Sequence, residues 1–192
     1  MSVKKLVYFP DDEDKLRQIS KSVPRAKDKK IKQLIQDLKD TLESQPGAAI
    51  AAPQIGVLKR VTVVKFGQNE GEDEQPMLAL INPLIVSTGE PVKGFDGCLS
   101  IPNIYTWDTP RPAWIRFKAI NEDGEEIDMT VEGMDARVIH HEIDHLDGVL
   151  FIDRMEDRDE LYTPVKQDDG KTKMVRLSDL AKLNDPTIDL SS

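Results

Sequence analysis

A single cysteine, Cys98, occurs in 192 residues. One thiol permits no internal disulfide, so the fold does not rely on oxidative crosslinks, which suits a reducing compartment. Histidine is almost as scarce: there are three, all between His140 and His145. Aromatic residues make up only 5% of the chain, so its core must be mostly aliphatic. Long apolar runs are lacking, and no apolar signal core separates Lys4-Lys5 from the acidic Asp11-Asp12-Glu13-Asp14. The expected location is therefore cytoplasmic, or organellar if a transit peptide has been removed, with no membrane partner. Positive charge is in deficit as well. A formal net charge of -9 argues against direct binding of nucleic acid or anionic lipid, both of which attract basic patches.

Against this scarcity stands His141-Glu142-Ile143-Asp144-His145, in a segment (131–150) with few helix breakers and a helical apolar rhythm. Residues four apart share one face of an α-helix, so His141 and His145 can offer two imidazole nitrogens to one metal ion. Glu142 starts beside the first ligand and can reach a water at that ion. This is the H-E-x-x-H arrangement, two ligands plus a general base, which suits metal-assisted hydrolysis. Such a pentapeptide also arises by chance on soluble helices, with both histidines as surface residues. The gathering of all histidines here favours the metal. So does the lone cysteine in Asp96-Gly97-Cys98-Leu99-Ser100, because a catalytic zinc-type site needs three protein ligands and one open position. A small buried core residue is the alternative role for Cys98.

The chain reads as an α+β domain, with antiparallel or mixed β-sheets packed around a central metal-binding helix. Its length suits one domain over 1–192, with a charged C-terminal extension from about residue 155. Residues 15–23 predict a brief helix ended by Pro24. Residues 28–45 predict a longer one, with Ile31, Leu34, Ile35, Leu38 and Leu42 at three- and four-residue steps and a stop at Pro46-Gly47. Residues 60–66 read as a strand, 67–75 as an exposed acidic loop, and 77–87 as a second strand broken at Asn82-Pro83. Residues 114–121 and 126–131 predict a hairpin, and 149–152 a short strand after the histidine helix. In the tail, 162–165 and 173–177 form a weakly packed hairpin across Asp168-Asp169-Gly170, followed by a short helix. The acidic loop and the tail read as solvated surface.

Three motifs in order resemble the peptide deformylase family: Gly-x-x-x-Ala-Ala-x-Gln at Gly47 to Gln54, Gly97-Cys98-Leu99-Ser100, and His141-Glu142-x-x-His145 followed by Leu146-Asp147-Gly148. The resemblance spans about residues 14–154. It implies removal of the N-formyl group from the first methionine of newly made polypeptides, with formate as the second product. It also implies one divalent metal ion held by Cys98, His141 and His145, commonly Fe2+, with Zn2+, Ni2+ or Co2+ able to substitute. The partners implied are nascent formyl-Met polypeptides, with docking near the ribosome exit tunnel. Glu142 would take a proton from water and pass one to the leaving amine. The Gln54 side chain and the Leu99 backbone N–H would stabilise the oxyanion. Substrate contacts would fall to Gly47, Ala49, Ile50, Gly97, Met134 and Val138, with Ile50, Met134 and Val138 lining an apolar pocket for the methionine side chain. Core packing explains those three apolar residues equally well.

The family usually has glycine at Ala49, glutamate at Asp96 and glutamine at His140. Ala49 adds a methyl where substrate backbone is expected, and is allowed if the local backbone is extended. Asp96 keeps the charge with a shorter reach. His140 points away from the ligand face, toward solvent or toward residues behind the ligands. Two rival readings stay open. A zinc peptidase of the wider H-E-x-x-H class needs a third ligand downstream, yet no histidine follows His145. A non-catalytic metal-binding relative is the other, prompted by Ala49 and Asp96. The oligomeric state is left open.

Overall fold

The computed structural model describes residues 2–183 apart from 72, 74 and 168. The expected acidic loop and the tip of the expected tail hairpin therefore lie partly outside the described residues, as does the end of the 1–192 span. Helix α1 (Glu13–Leu16) is a single turn, and α2 (Lys29–Glu43) is the long helix that the apolar spacing predicts. Asp28 caps α2 by accepting a hydrogen bond from Lys30 N–H at 2.8 Å. Its stripe of Ile31, Leu34, Ile35, Leu38 and Leu42 packs on Ile50, Val61, Val63 and Ile81.

Those partners belong to β1 (Ala49–Ala51), β2 (Val61–Val64) and β3 (Leu78–Thr88). Two further strands, β4 (Pro91–Cys98) and β5 (Ile101–Pro112), precede β6 (Trp114–Ile120) and β7 (Glu126–Glu132). An antiparallel sheet of order β1-β2-β3-β6-β7 forms one layer. A second antiparallel sheet joins β4 and β5 to β8 (Tyr162–Lys166) and β9 (Thr172–Arg176), followed by α5 (Leu177–Leu183). The predicted tail hairpin is present, and it joins β5 at the single pair Tyr105↔Tyr162.

The histidine helix, α3 (Gly133–Leu146), lies between the sheets. Ala136, Ile139 and Ile143 pack on Ile115 and Phe117 of β6. Around the helix from them, His141 and His145 meet Asp96 and Cys98 of β4. One helix thus serves as core filler and ligand platform.

Three local expectations differ from the structure. Residues 15–23 do not continue as helix after α1, because Ser20 N–H donates to Leu146 and Lys21 N–H to Leu58, so these amides leave the helical ladder for tertiary partners. Residues 149–152 are not a strand: Phe151–Arg154 form the short helix α4, started by Asp153, which accepts from Leu150 N–H at 2.8 Å. The expected break at Asn82-Pro83 is a bulge within one continuous β3. Asn82 takes φ 51°, and its side chain bonds both N–H and C=O of Val23 at 2.8 Å, which offsets the strained backbone.

Candidate active site

His141 and His145 lie one turn apart on α3, with ring centroids 4.9 Å apart. Cys98 ends β4, and its Sγ lies 3.2 Å from His145 Nε2. One donor atom from each of the three residues falls within 4.8 Å of the others. Donors of a tetrahedral thiolate–imidazole site stand about 3.5 Å apart, so this set fits a single shared ion. Among the described residues, no downstream carboxylate joins the group, which removes the third ligand that the zinc-peptidase reading needs.

The ring of His141 is oriented from behind. Its Nδ1–H donates to Asp96 Oδ1 at 2.8 Å, which leaves Nε2 for an ion. Asp96 is itself held by the wholly buried Arg111, whose Nε donates to Oδ2 at 2.6 Å. Arg111 Nη1 also reaches Asp144 at 2.8 Å and His140 Nδ1 at 2.7 Å, and Arg154 donates to the other Asp144 oxygen at 2.6 Å. Burial alone would push the Asp96 carboxyl up, but the charges and hydrogen bonds of His141 and Arg111 hold it well below the usual carboxylate range. Both Asp96 oxygens are thus committed to protein partners. The shorter side chain acts as a support for His141.

His140 stands behind the ligands, beside Arg111. Burial, reinforced by Arg111 and Arg154 against the pull of Asp144, lowers its pKa to about 4, so it is a neutral acceptor for the guanidinium. His145 differs from His141: its Nδ1 is buried with no hydrogen-bond partner among the described residues. The Cys98 thiol is also shifted. Burial pushes it up, yet the charge of His145 and hydrogen bonds from both rings outweigh this and bring it down to about 5. A thiolate is the ligand form, so the site favours the species a metal needs.

Glu142 is buried at 3% exposure and its pKa is raised, chiefly by burial, with His145 and His141 opposing and Cys98 assisting. Its Oε2 accepts from Thr62 Oγ1, 3.1 Å away on β2. Gln54 sits in a 3-10 turn (Ala52–Ile55) after β1. Its Oε1 accepts from Ala51 N–H at 2.8 Å, so its Nε2 is turned toward Ser100 Oγ at 3.3 Å and Cys98 Sγ at 3.6 Å. Leu99 occupies the turn between β4 and β5.

Glu142, Gln54, Cys98 and His141 border a cavity of about 500 Å³, lined among others by Gly47, Ala49, Gly97, Leu99, Met134 and Val138. A side chain at Gly97 would come within 2.7 Å of the Tyr105 ring, so glycine lets that ring pack against β4. Ala49 lies in β1, and its extended backbone accepts the methyl without strain. Ile50 is the exception among the expected substrate contacts. Its side chain is wholly buried in the core under α2 and does not line the cavity, because alternation along β1 turns it to the face opposite Ala49.

Sequence reading missed Thr62, Arg111 and Asp144. Thr62 looks like any β-branched strand residue. Arg111 lies between Pro110 and Pro112, and nothing local signals that it is wholly buried. Asp144 gave the only usable hint, as a carboxylate one residue from a ligand on a helix.

A family model described as polypeptide deformylase matches residues 3–160. A peptide deformylase of Thermomicrobium roseum is 44% identical over 148 residues, covering 76% of this chain and 84% of that protein. A peptide deformylase of Synechococcus elongatus, solved in complex with actinonin, is similar at TM-score 0.73 and 38% identity, covering 83% of this chain and 82% of that one. A class I type b peptide deformylase of Acinetobacter baumannii, solved with Met-Ala-Ser bound, is similar at TM-score 0.73 and 30% identity, over 81% of this chain and 100% of that one.

Proposed function

The chain belongs to the polypeptide deformylase family and is an enzyme of the peptide deformylase class, and from that premise we propose that it removes the N-formyl group from the N-terminal methionine of newly made polypeptides, releasing formate. The observation that carries this reading is the meeting of Cys98, His141 and His145 beside the buried carboxylate of Glu142. The ion is assigned as Fe2+, with Zn2+, Ni2+ or Co2+ as substitutes, since one thiolate and two imidazoles suit borderline divalent ions. When bound, such an ion supplies Lewis-acid polarisation at its open position.

The chain's own residues do the rest. Glu142, made more basic by burial, takes a proton from the attacking water and returns one to the departing amine nitrogen. Gln54 Nε2, pinned through Oε1 to the Ala51 amide, donates to the oxygen that gains charge as the formyl carbon becomes tetrahedral. The Leu99 backbone N–H is its companion donor. Asp96 and Arg111 keep the His141 ring from turning. Gly47, Ala49 and Gly97 give the substrate backbone a close approach, and Met134 and Val138 receive the methionine side chain. Residues 1–192 act as one catalytic domain with an extension from about 155. The place of action is the cytoplasm near the ribosome exit tunnel, where new chains emerge.

The experiment is formate release from formyl-Met-Ala-Ser by anaerobically prepared, iron-loaded protein, with metal analysis on the same sample. Formate in proportion to bound metal is the expected result. Full metal content with no formate would overturn the reading and favour a non-catalytic metal-binding protein.

A further inference from the structure

The second sheet carries a row of aromatic rings that the chemistry above does not use. It begins in the cavity wall, where Phe95 of β4 and Tyr105 of β5 stack with centroids 5.7 Å apart. Trp107 stands 5.5 Å from Phe95, outside the cavity, and Tyr162 of β8 meets Trp107 edge-on at 5.5 Å. The Arg176 guanidinium lies over the Tyr162 ring at 5.7 Å and closes the row on β9.

The shared face follows from strand geometry. Tyr105 and Trp107 are two apart on β5, while Thr106 and Asp108 between and after them are buried. Register places Tyr162 opposite Tyr105, and Arg176 opposite Tyr162. Trp107 is 47% exposed and Phe95 39%, so large ring surface is left uncovered beside the cavity mouth. Contiguous exposed apolar surface of this kind marks binding sites. The hairpin that supplies Tyr162 and Arg176 lies beyond residues 3–160, which the family model matches.

We propose that Phe95, Trp107 and Tyr162 form an outer subsite for the substrate polypeptide beyond its first three residues, favouring apolar or aromatic side chains there. The proposal rests on the deformylase reading and extends it. Two observations commit it to this occupant. A cavity of about 500 Å³ holds the start of a polypeptide and little more, so a longer chain must leave it across neighbouring surface. The row is also continuous with the cavity wall through Phe95 and Tyr105. Rigid rings give contact area at low entropic cost and tolerate varied sequence, as a substrate with only its first residue in common requires.

The test compares formyl-Met-Ala-Ser with two ten-residue extensions of it, one with Leu and Phe at positions five to seven and one with Ser there. For the native protein, KM for the apolar extension should be about two- to tenfold below that for the serine extension, the range expected of an aromatic contact. In Trp107→Ala and Tyr162→Ala that difference should vanish, while kcat and KM for formyl-Met-Ala-Ser stay unchanged. Trp107→Phe, which keeps a ring, should retain part of it and guards against a folding defect. Equal KM values in the native protein, or a difference that survives both alanine variants, would overturn the proposal. If formyl-Met-Ala-Ser is not turned over at all, the activity reading fails separately. Trp107 fluorescence in a Trp114→Phe background then decides the subsite: a change on adding the apolar extension supports it, and none sinks it. If the alanine variants lose only self-association in sedimentation, the rings join two copies of the chain and the proposal falls.

Discussion

Thr62 Oγ1 stands 3.1 Å from Glu142 Oε2 and 2.9 Å from the carbonyl oxygen of Ile50. A hydroxyl carries one proton and can also accept. When Glu142 is ionised, Thr62 can donate to it. When Glu142 holds the proton, the carboxyl donates to Thr62, and Thr62 donates to Ile50. One buried hydroxyl therefore accommodates both forms of the carboxyl group. The substitution Thr62→Val keeps the shape and removes this partner, and hydrogen bonds to charged groups contribute about 1.5–3 kcal/mol, or roughly 10- to 100-fold. The expected outcome is a kcat lower by about tenfold or more with little change in KM for formyl-Met-Ala-Ser, restored by Thr62→Ser. A native kcat in Thr62→Val would dismiss the contact as incidental.

Glu142→Gln isolates proton transfer from ligand binding. The amide keeps the size of the side chain but cannot cycle a proton, and positioned acid–base groups contribute about 10²- to 10⁴-fold. Turnover should fall by that order while elemental analysis finds native metal content, because Cys98, His141 and His145 are untouched. Loss of metal in parallel with activity would make Glu142 a structural part of the metal site.

The lowered pKa of Cys98 has a directly readable consequence. Its thiol is brought to about 5 by His145 and His141 against the effect of burial, so the thiolate dominates above that pH and the thiol below it. In chelator-treated protein, iodoacetamide alkylation should rise with a midpoint near 5, far below the ordinary thiol near 8.5. His145→Ala should move the midpoint upward. A native midpoint at the ordinary value would contradict the electrostatics of the site.

Asp144 links the ligand helix to Arg111 and Arg154. Burial alone would raise its pKa, but the Arg154 hydrogen bonds and the Arg111 charge lower it below 3.8 in the fold. Such a carboxylate adds stability that is complete above its unfolded value and declines as pH falls through the lower folded value. Asp144→Asn removes a charged partner from Arg111 and Arg154 while Asp96 still pairs with Arg111, so the cost is that of hydrogen bonds to a charged group, about 1.5–3 kcal/mol. Urea denaturation should show that penalty at pH 7 and a smaller one at pH 3. The same penalty at both values would rule out charge as its cause.

Some of this protein is decided locally, and the sequence alone determines it. The spacing of His141 and His145 puts both rings on one side of α3, since an α-helix repeats every 3.6 residues wherever it packs. The stripe on α2 and the hairpin of β6 and β7 follow from short-range periodicity in the same way. Only the tertiary structure decides that Cys98, far away in the chain, reaches those rings, because its position depends on how β4 docks beside α3. The strands β4 and β5 escape a reading by pattern because their inward residues include Asp96, Thr106, Asp108 and Arg111, which look like a polar loop. Their charges are tolerable inside only because each finds its partner there, and pairing across distant segments leaves no periodic trace in a linear chain. Ile50 and Thr62 make the same point in small: which one faces the core and which one meets Glu142 is set by sheet register, not by residue type.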